Sequence, residues 1–183
     1  LADELEFLLI FDEVQTGVGL TGSMWCWQQM GVEPDLFAFG KKTQVCGFAS
    51  NHRVDDVPDN VFHVSSRINS TWGGNLVDMI RSAKYFEIIA EENLIENARV
   101  VGDYLQGRLR ELAEEFSGVM SNVRGRGLFL AFDLPDEETR DRTLAACLEN
   151  GMIGLASGAK AVRFRPHLNR SQDVASAGGR DVR

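Results

Sequence analysis

The sequence has few cysteines, an excess of acid over base, and no long apolar run. Cys26, Cys46 and Cys147 are the only cysteines among 183 residues. An odd, widely spaced set forms no disulfide framework and no paired metal-ligand spacing, so a reducing cytoplasm is the expected compartment. His52, His63 and His167 are too scattered for a ligand set or a catalytic triad, and no metal is expected. Nineteen Lys and Arg face 27 Asp and Glu, a net charge of −8. A chain this acidic is a poor non-specific binder of nucleic acid, which needs positive charge to displace counterions. No apolar stretch approaches the ~20 residues of a membrane helix. No basic stretch followed by an apolar core opens the sequence, so no secretion signal is expected. There is no internal repeat. What remains is ordinary for a globular protein, 44% hydrophobic and 25% charged, with a length that suits one domain or two small ones.

Apolar runs mark the strands. Phe7-Leu8-Leu9-Ile10-Phe11 has the continuous character of a strand buried on both faces of a parallel sheet. Such a strand needs neighbours, and its place so near Leu1 suggests a fragment whose partner strands lie upstream. The polar, Gly-rich Asp12–Gly19 follows, as loops at strand ends do. Met24–Met30 reads as a short aromatic-rich helix broken by Pro34-Asp35. Leu36–Phe39 reads as a second buried strand closed by Gly40, and 46–75 as mixed short pieces and loops.

From Leu76 the period becomes helical. Leu76, Met79, Ile80, Ala83 and Ala90 make one apolar face. Leu94, Ala98, Val101, Leu105, Leu109, Leu112 and Phe116 hold the same period in a second, longer helix that stops at Gly118. Leu128–Phe132 reads as a strand. A helix capped by Asp136 should run to about Asn150, with Gly151 ending it. Met152–Leu155 and Val162–Phe164 are expected to be short strands. These patterns predict an α/β part over 1–90, an α+β part over 91–168, and an aperiodic tail over 169–183 that looks unfolded or aberrant.

Several residues could carry chemistry. Asp12 ends a buried strand, where open α/β sheets bind ligands. Its carboxylate could pair with a cationic ring nitrogen, bind a metal, or cap the next loop. Glu13 points to the opposite face, so the two are no acid–base pair. Lys41 and Lys42 follow the second strand. A lysine held at a buried strand end is desolvated, which favours its neutral form and suits it to a Schiff base; otherwise it is simply solvated. Ser70, Thr71 and their neighbours precede a helix start, where hydroxyls and free N–H groups make an anion site or a plain cap. Arg163 could grip a carboxylate bidentately or form a structural ion pair. Gly125-Arg126-Gly127 is not followed by a helix pattern and is no dinucleotide fingerprint.

Four stretches together carry a resemblance. They are Phe11-Asp12-Glu13-Val14-Gln15-Thr16-Gly17, then Pro34-Asp35 with Phe39-Gly40-Lys41-Lys42, then Asn69–Asn75, and finally Val162-Arg163-Phe164-Arg165-Pro166. In this order they resemble the class III, fold-type I aminotransferases that use pyridoxal phosphate. Within that class, Gly40–Gly47 and Ser66–Asn75 are most similar to the L-lysine 6-aminotransferases, and less so to the ornithine and 4-aminobutyrate enzymes.

The resemblance implies a role for each matched position. Lys41 would be the Schiff-base lysine and proton shuttle, with Lys42 the fallback. Asp12 would pair with the pyridinium nitrogen, Val14 would pack on the ring, and Gln15 would sit near its phenolic oxygen. Ser70 and Thr71 would bind the phosphate of a neighbouring subunit's cofactor, making a homodimer. Arg163 would hold the carboxylates of L-lysine and 2-oxoglutarate in turn, giving 2-aminoadipate 6-semialdehyde and glutamate. The fold implied is α/β: an incomplete parallel-sheet large domain followed by an α+β small domain. Members of the family are about twice this length or more, and they carry a terminal helix where this sequence has its Ser/Gly/Arg tail. The chain alone is therefore expected to be poorly soluble or inactive. An inactive remnant, and another reaction on the same scaffold such as racemisation or decarboxylation, stay open as readings of the sequence.

Overall fold

The computed structural model describes residues 1–68, 71 and 73–173. Ser70 and most of the predicted tail, 174–183, lie outside these residues. The chain divides into two compact units: residues 1–18 with 24–92, and 19–23 with those from Asn93 onward.

The first unit is built on a three-stranded sheet in the order β1-β2-β3, with β1 at Ile10–Asp12, β2 at Leu36–Phe39 and β3 at Gly47–Ser50. β1 and β2 run parallel, pairing Ile10 with Leu36 and Asp12 with Ala38. The connecting segment is long enough for a crossover and includes a 3-10 turn over Cys26–Gln29. Residues 40–46 are too few for a parallel return, which needs about a dozen. β3 accordingly pairs with β2 antiparallel, and the sheet is mixed rather than wholly parallel.

Alternation along the strands gives the two sheet faces different fates. Phe37 and Phe39 share a face with the 3-10 turn, and Trp25 lies 4.8 Å from Phe37 and 6.0 Å from Phe39, ring centre to ring centre. Ile10, Asp12, Leu36 and Ala38 occupy the other face, where Ile10 is 63% exposed. The double-sided burial expected of Phe7–Phe11 is therefore not found. Only Ile10-Phe11 of that run enters the ladder, β1 pairs on one side among the described residues, and one face of the sheet is open.

Asp35 locks this sheet together. Its buried carboxylate accepts from Leu9 N at 2.7 Å and from Asn51 Nδ2 at 3.3 Å, with Arg53 Nη1 3.6 Å away. The Leu9 amide above all, then Asn51 and the nearby Arg53 charge, hold the carboxyl below its ordinary range, outweighing burial, which pushes the other way.

Helix α1, Leu76–Glu91, is capped by Asn75, whose Oδ1 accepts from Val77 N at 3.0 Å. The apolar face expected to be buried is open at its N-terminal end: Leu76, Met79 and Ile80 are exposed, and the helix buries Ser82 and Ile89 instead. The period identified the helix, but nothing among the described residues covers that stretch of its face.

The second unit has its own core. Helix α2, Leu94–Glu115, buries Ala98, Val101, Leu109 and Leu112, four of the seven positions on the predicted stripe. It packs on an antiparallel sheet in the order β4-β5-β7-β6: β4 Ser121–Arg126, β5 Phe129–Asp133, β6 Leu155–Ser157 and β7 Ala161–Phe164. Leu109, Leu112, Met120, Leu130, Phe132, Leu134 and Val162 form one cluster, and Leu20, Ala98, Val101 and Leu128 a second. Gly102 allows the closest approach: a Cβ there would lie 2.2 Å from the Gly127 carbonyl carbon and oxygen. Helix α3, Glu137–Glu149, starts where Asp136 Oδ1 accepts from Thr139 N at 2.8 Å. Its Arg140 is buried and satisfied by the carbonyls of Gly158 and Ala159 and by Glu137 and Asp141. The tail also begins in order, since Asn97 Nδ2 donates to Leu168 O at 2.6 Å and to Arg170 O at 3.1 Å.

Candidate active site

Parallel pairing of β1 and β2 brings their C-terminal ends to one edge of the sheet. The ladder ends with Glu13 N donating to Ala38 O at 2.9 Å, so Asp12 and Lys41 leave from neighbouring strand ends. Asp12 is exposed, and its Oδ1 accepts from Val14 N at 3.0 Å in a tight Asx turn. Oδ2 has no partner among the described residues. Of the three readings of Asp12, the loop cap is the one seen, made by Oδ1 alone.

Glu13, passed over in the sequence, is the buried anchor of that loop. Its Oε1 accepts from Trp27 N at 2.7 Å and its Oε2 from Thr16 Oγ1 at 2.5 Å. Glu-x-x-Thr just after a strand is the signal that could have marked it. Gly17 is required at the end of this loop, because a Cβ there would lie 2.5 Å from the Trp25 ring. Val14 and Gln15 are held between these anchors, each half-buried.

The turn after β2 is wound tightly as a 3-10 segment, Lys41–Thr43. Lys41 has φ +53° and Gln44 φ +62°. A left-handed conformation costs a residue with a Cβ about 1–2 kcal/mol, and such strain concentrates at functional positions. The Lys41 carbonyl is held twice by Gln44, through its backbone N at 3.0 Å and its Nε2 at 3.2 Å. Arg81 of α1 in turn donates to Gln44 Oε1 at 3.3 Å.

The two lysines of this turn differ. Lys42 is half-buried, with Nζ donating to Gln15 O at 2.7 Å. Lys41 is exposed, and no described residue takes its amine. The burial expected of Lys41 is not seen among the described residues. Of the two, Lys41 is the one whose amine no described residue takes.

Thr71 is exposed and lies upstream of the Asn75 cap, so it does not itself cap α1. Arg163 lies on β7 in the second unit. Its guanidinium carbon is 5.8 Å above the Phe129 ring centre, it forms no ion pair among the described residues, and its buried Nε has no partner. With Phe129, Leu130, Ala131 and Arg124 it lines a concavity of about 280 Å³. Arg124 is engaged by Asp133 at 2.7 Å. Asn122, and next Arg124, hold the Asp133 carboxyl below its usual range. The structural ion pair considered for Arg163 is absent among the described residues, leaving a guanidinium with unused donors beside an aromatic wall.

An exposed amine at Lys41 and an exposed carboxylate at Asp12, leaving neighbouring strand ends, are the two functional groups that a pyridine aldehyde calls for. No cluster of metal-binding side chains is found among the described residues.

Comparison with known proteins agrees. The chain is 54% identical over 171 residues to an L-lysine-epsilon aminotransferase of Mycobacterium tuberculosis, covering 93% of this chain and 38% of the relative. It is 48% identical over 169 residues to the Streptomyces clavuligerus enzyme of the same name, covering 92% and 37%. It matches a solved lysine aminotransferase from M. tuberculosis in the internal aldimine form with a TM-score of 0.95 and 52% identity, covering 99% of this chain and 42% of that one. The chain therefore spans about two-fifths of the length of the curated relatives it matches. Residues 1–179 match the family described as aminotransferase class-III, and the chain belongs to that family, with the fold-type I architecture of its solved relatives.

Proposed function

We propose that this chain is the cofactor-holding part of an aminotransferase that moves the 6-amino group of L-lysine to 2-oxoglutarate, forming 2-aminoadipate 6-semialdehyde and glutamate. The observation that carries the reading is that a Lys41 amine and an Asp12 oxygen, neither partnered among the described residues, leave neighbouring strand ends. The high identity to enzymes named for lysine supports the choice of amino donor.

Pyridoxal phosphate, when bound, supplies a ring that withdraws electrons from the substrate carbon carrying the amine. Lys41 Nζ is the group that holds it and the base that takes the proton from that carbon. Asp12 Oδ2 would accept a hydrogen bond from the ring N–H and so keep the ring protonated and cationic. Val14 supplies apolar contact and Gln15 a polar neighbour for the ring oxygen. Thr71, with Ser70, offers hydroxyls to a phosphate, in a homodimer from the neighbouring subunit. Arg163 grips a carboxylate of either substrate through its unused donors. The three free cysteines suit a reducing cytoplasm.

The test is steady-state turnover of the full-length protein with L-lysine, L-ornithine or 4-aminobutyrate as donor and 2-oxoglutarate as acceptor. Glutamate should form fastest from lysine, with no carbon dioxide released. Release of carbon dioxide without glutamate contradicts transamination, and a faster rate with either other donor contradicts the assignment of lysine.

A further inference from the structure

Lys42 is the lysine the proposed chemistry leaves unused, yet it is the more strongly held of the two. Its ammonium reaches back from the turn after β2 to the Gln15 carbonyl in the loop after β1, 2.7 Å away and 27 residues apart in sequence. The β1–β2 ladder has ended by then, at Glu13 N to Ala38 O. Beyond that point the strands hand over to two loops, one opening with Asp12 and the other carrying Lys41, and Lys42 rejoins them. The adjacent lysines differ in their surroundings: Lys42 is half-buried and Lys41 exposed. One is tethered inward and the other left free.

We propose that Lys42 is a positioning residue, whose bond to the Gln15 carbonyl fixes the loop of Asp12 against the turn of Lys41. A charge-assisted bond from a half-buried ammonium is short and directional, and loops tied by one keep a fixed spacing. Its placement answers a particular need. Lys41 has a left-handed backbone, a conformation that persists only where its surroundings over-determine it. Gln44 holds the Lys41 carbonyl, and Lys42, the next residue, ties the turn to a different loop. A methionine at 42 would keep much of the bulk and lose the donor, while an arginine would keep a cationic donor of similar reach.

The inference rests on the cofactor reading, so the experiment first tests that reading in the full-length wild-type protein. Borohydride reduction with pyridoxal phosphate should leave a stable adduct on Lys41; its absence ends the reading and this inference together. With the adduct present, K42M at saturating cofactor should lose most of the visible circular dichroism of the bound chromophore, which reports a fixed orientation. Its kcat should fall about 100-fold, the size expected of a misplaced reacting group, with KM for lysine little changed. K42R should recover both signals. A K42M protein with wild-type dichroism and kcat overturns the proposal while leaving the cofactor reading intact. Should K42M not fold, competitive acetylation of the wild-type apoprotein decides. Lys42 should react about tenfold more slowly than exposed Lys160, as a bond to a charged donor worth ~1.5 kcal/mol requires, and equal rates overturn it.

Discussion

Replacing Asp35 with asparagine tests whether one buried carboxylate locks the first sheet at the strand starts, opposite the ends that bear Asp12 and Lys41. Asp35 accepts from Leu9 N before β1, from Asn51 after β3, and faces Arg53. Asparagine keeps the shape and one acceptor, but it removes the charge and turns an N–H group toward other donors. A hydrogen bond to a charged group is worth about 1.5–3 kcal/mol, and that loss is expected for D35N at neutral pH. The pH dependence has a fixed sign. The folded-state carboxyl is depressed below its unfolded value of 3.8. Its contribution is therefore complete above that value and disappears as pH falls through the folded pKa. Urea unfolding of the full-length wild type and D35N between pH 7 and pH 2.5 should give curves that are parallel near neutrality and converge in acid. A gap below about 0.5 kcal/mol at pH 7, within the range of ordinary surface changes, would refute the reasoning. So would a gap that does not narrow on acidification.

Two further outcomes follow from the second unit. Gly102→Ala drives a methyl group into the backbone of Gly127, which cannot swing away as a side chain can. The loss should be near ~3 kcal/mol, at the upper end for overpacking, measurable as a fall in the thermal midpoint; a shift too small to resolve would mean that the α2 crossing is looser than described. Arg163→Met should raise KM for lysine and 2-oxoglutarate about 10- to 100-fold, as loss of a charged bond of ~1.5–3 kcal/mol predicts. An unchanged KM for both substrates would remove Arg163 from the carboxylate-binding role.

The main features of the site were legible because strand ends announce themselves. An apolar run that stops at Asp12, and a second that stops at Gly40-Lys41, place two polar groups at the end of one sheet whatever the details of packing. α2 was legible for the same reason, its 3.6-residue stripe being long and regular. β4 was missed because Ser121–Arg126 has Val123 as its one large apolar residue, and Asn122, at φ +51°, lies in a register shift that breaks the alternation. The full apolar face assigned to α1 failed because periodicity tells which residues share a side, and not what covers them. Asp35, Lys42 and Arg140 were not readable as anchors, because each depends on at least one backbone group distant in sequence, of which composition carries no trace. Lys41 was expected at a buried strand end, but in its turn it is Thr43 that is buried while Lys41 is exposed.

The central claim is that Lys41 and Asp12 hold opposite ends of one pyridoxal phosphate. The most direct measurement is peptide mapping after borohydride reduction of the loaded full-length protein, for wild type and for Asp12→Asn. The account predicts a phosphopyridoxyl group on Lys41 in the wild type, with weaker retention of the cofactor before reduction when Asp12 is neutralised. Label on Lys42 or another lysine, or retention indifferent to Asp12, would contradict it.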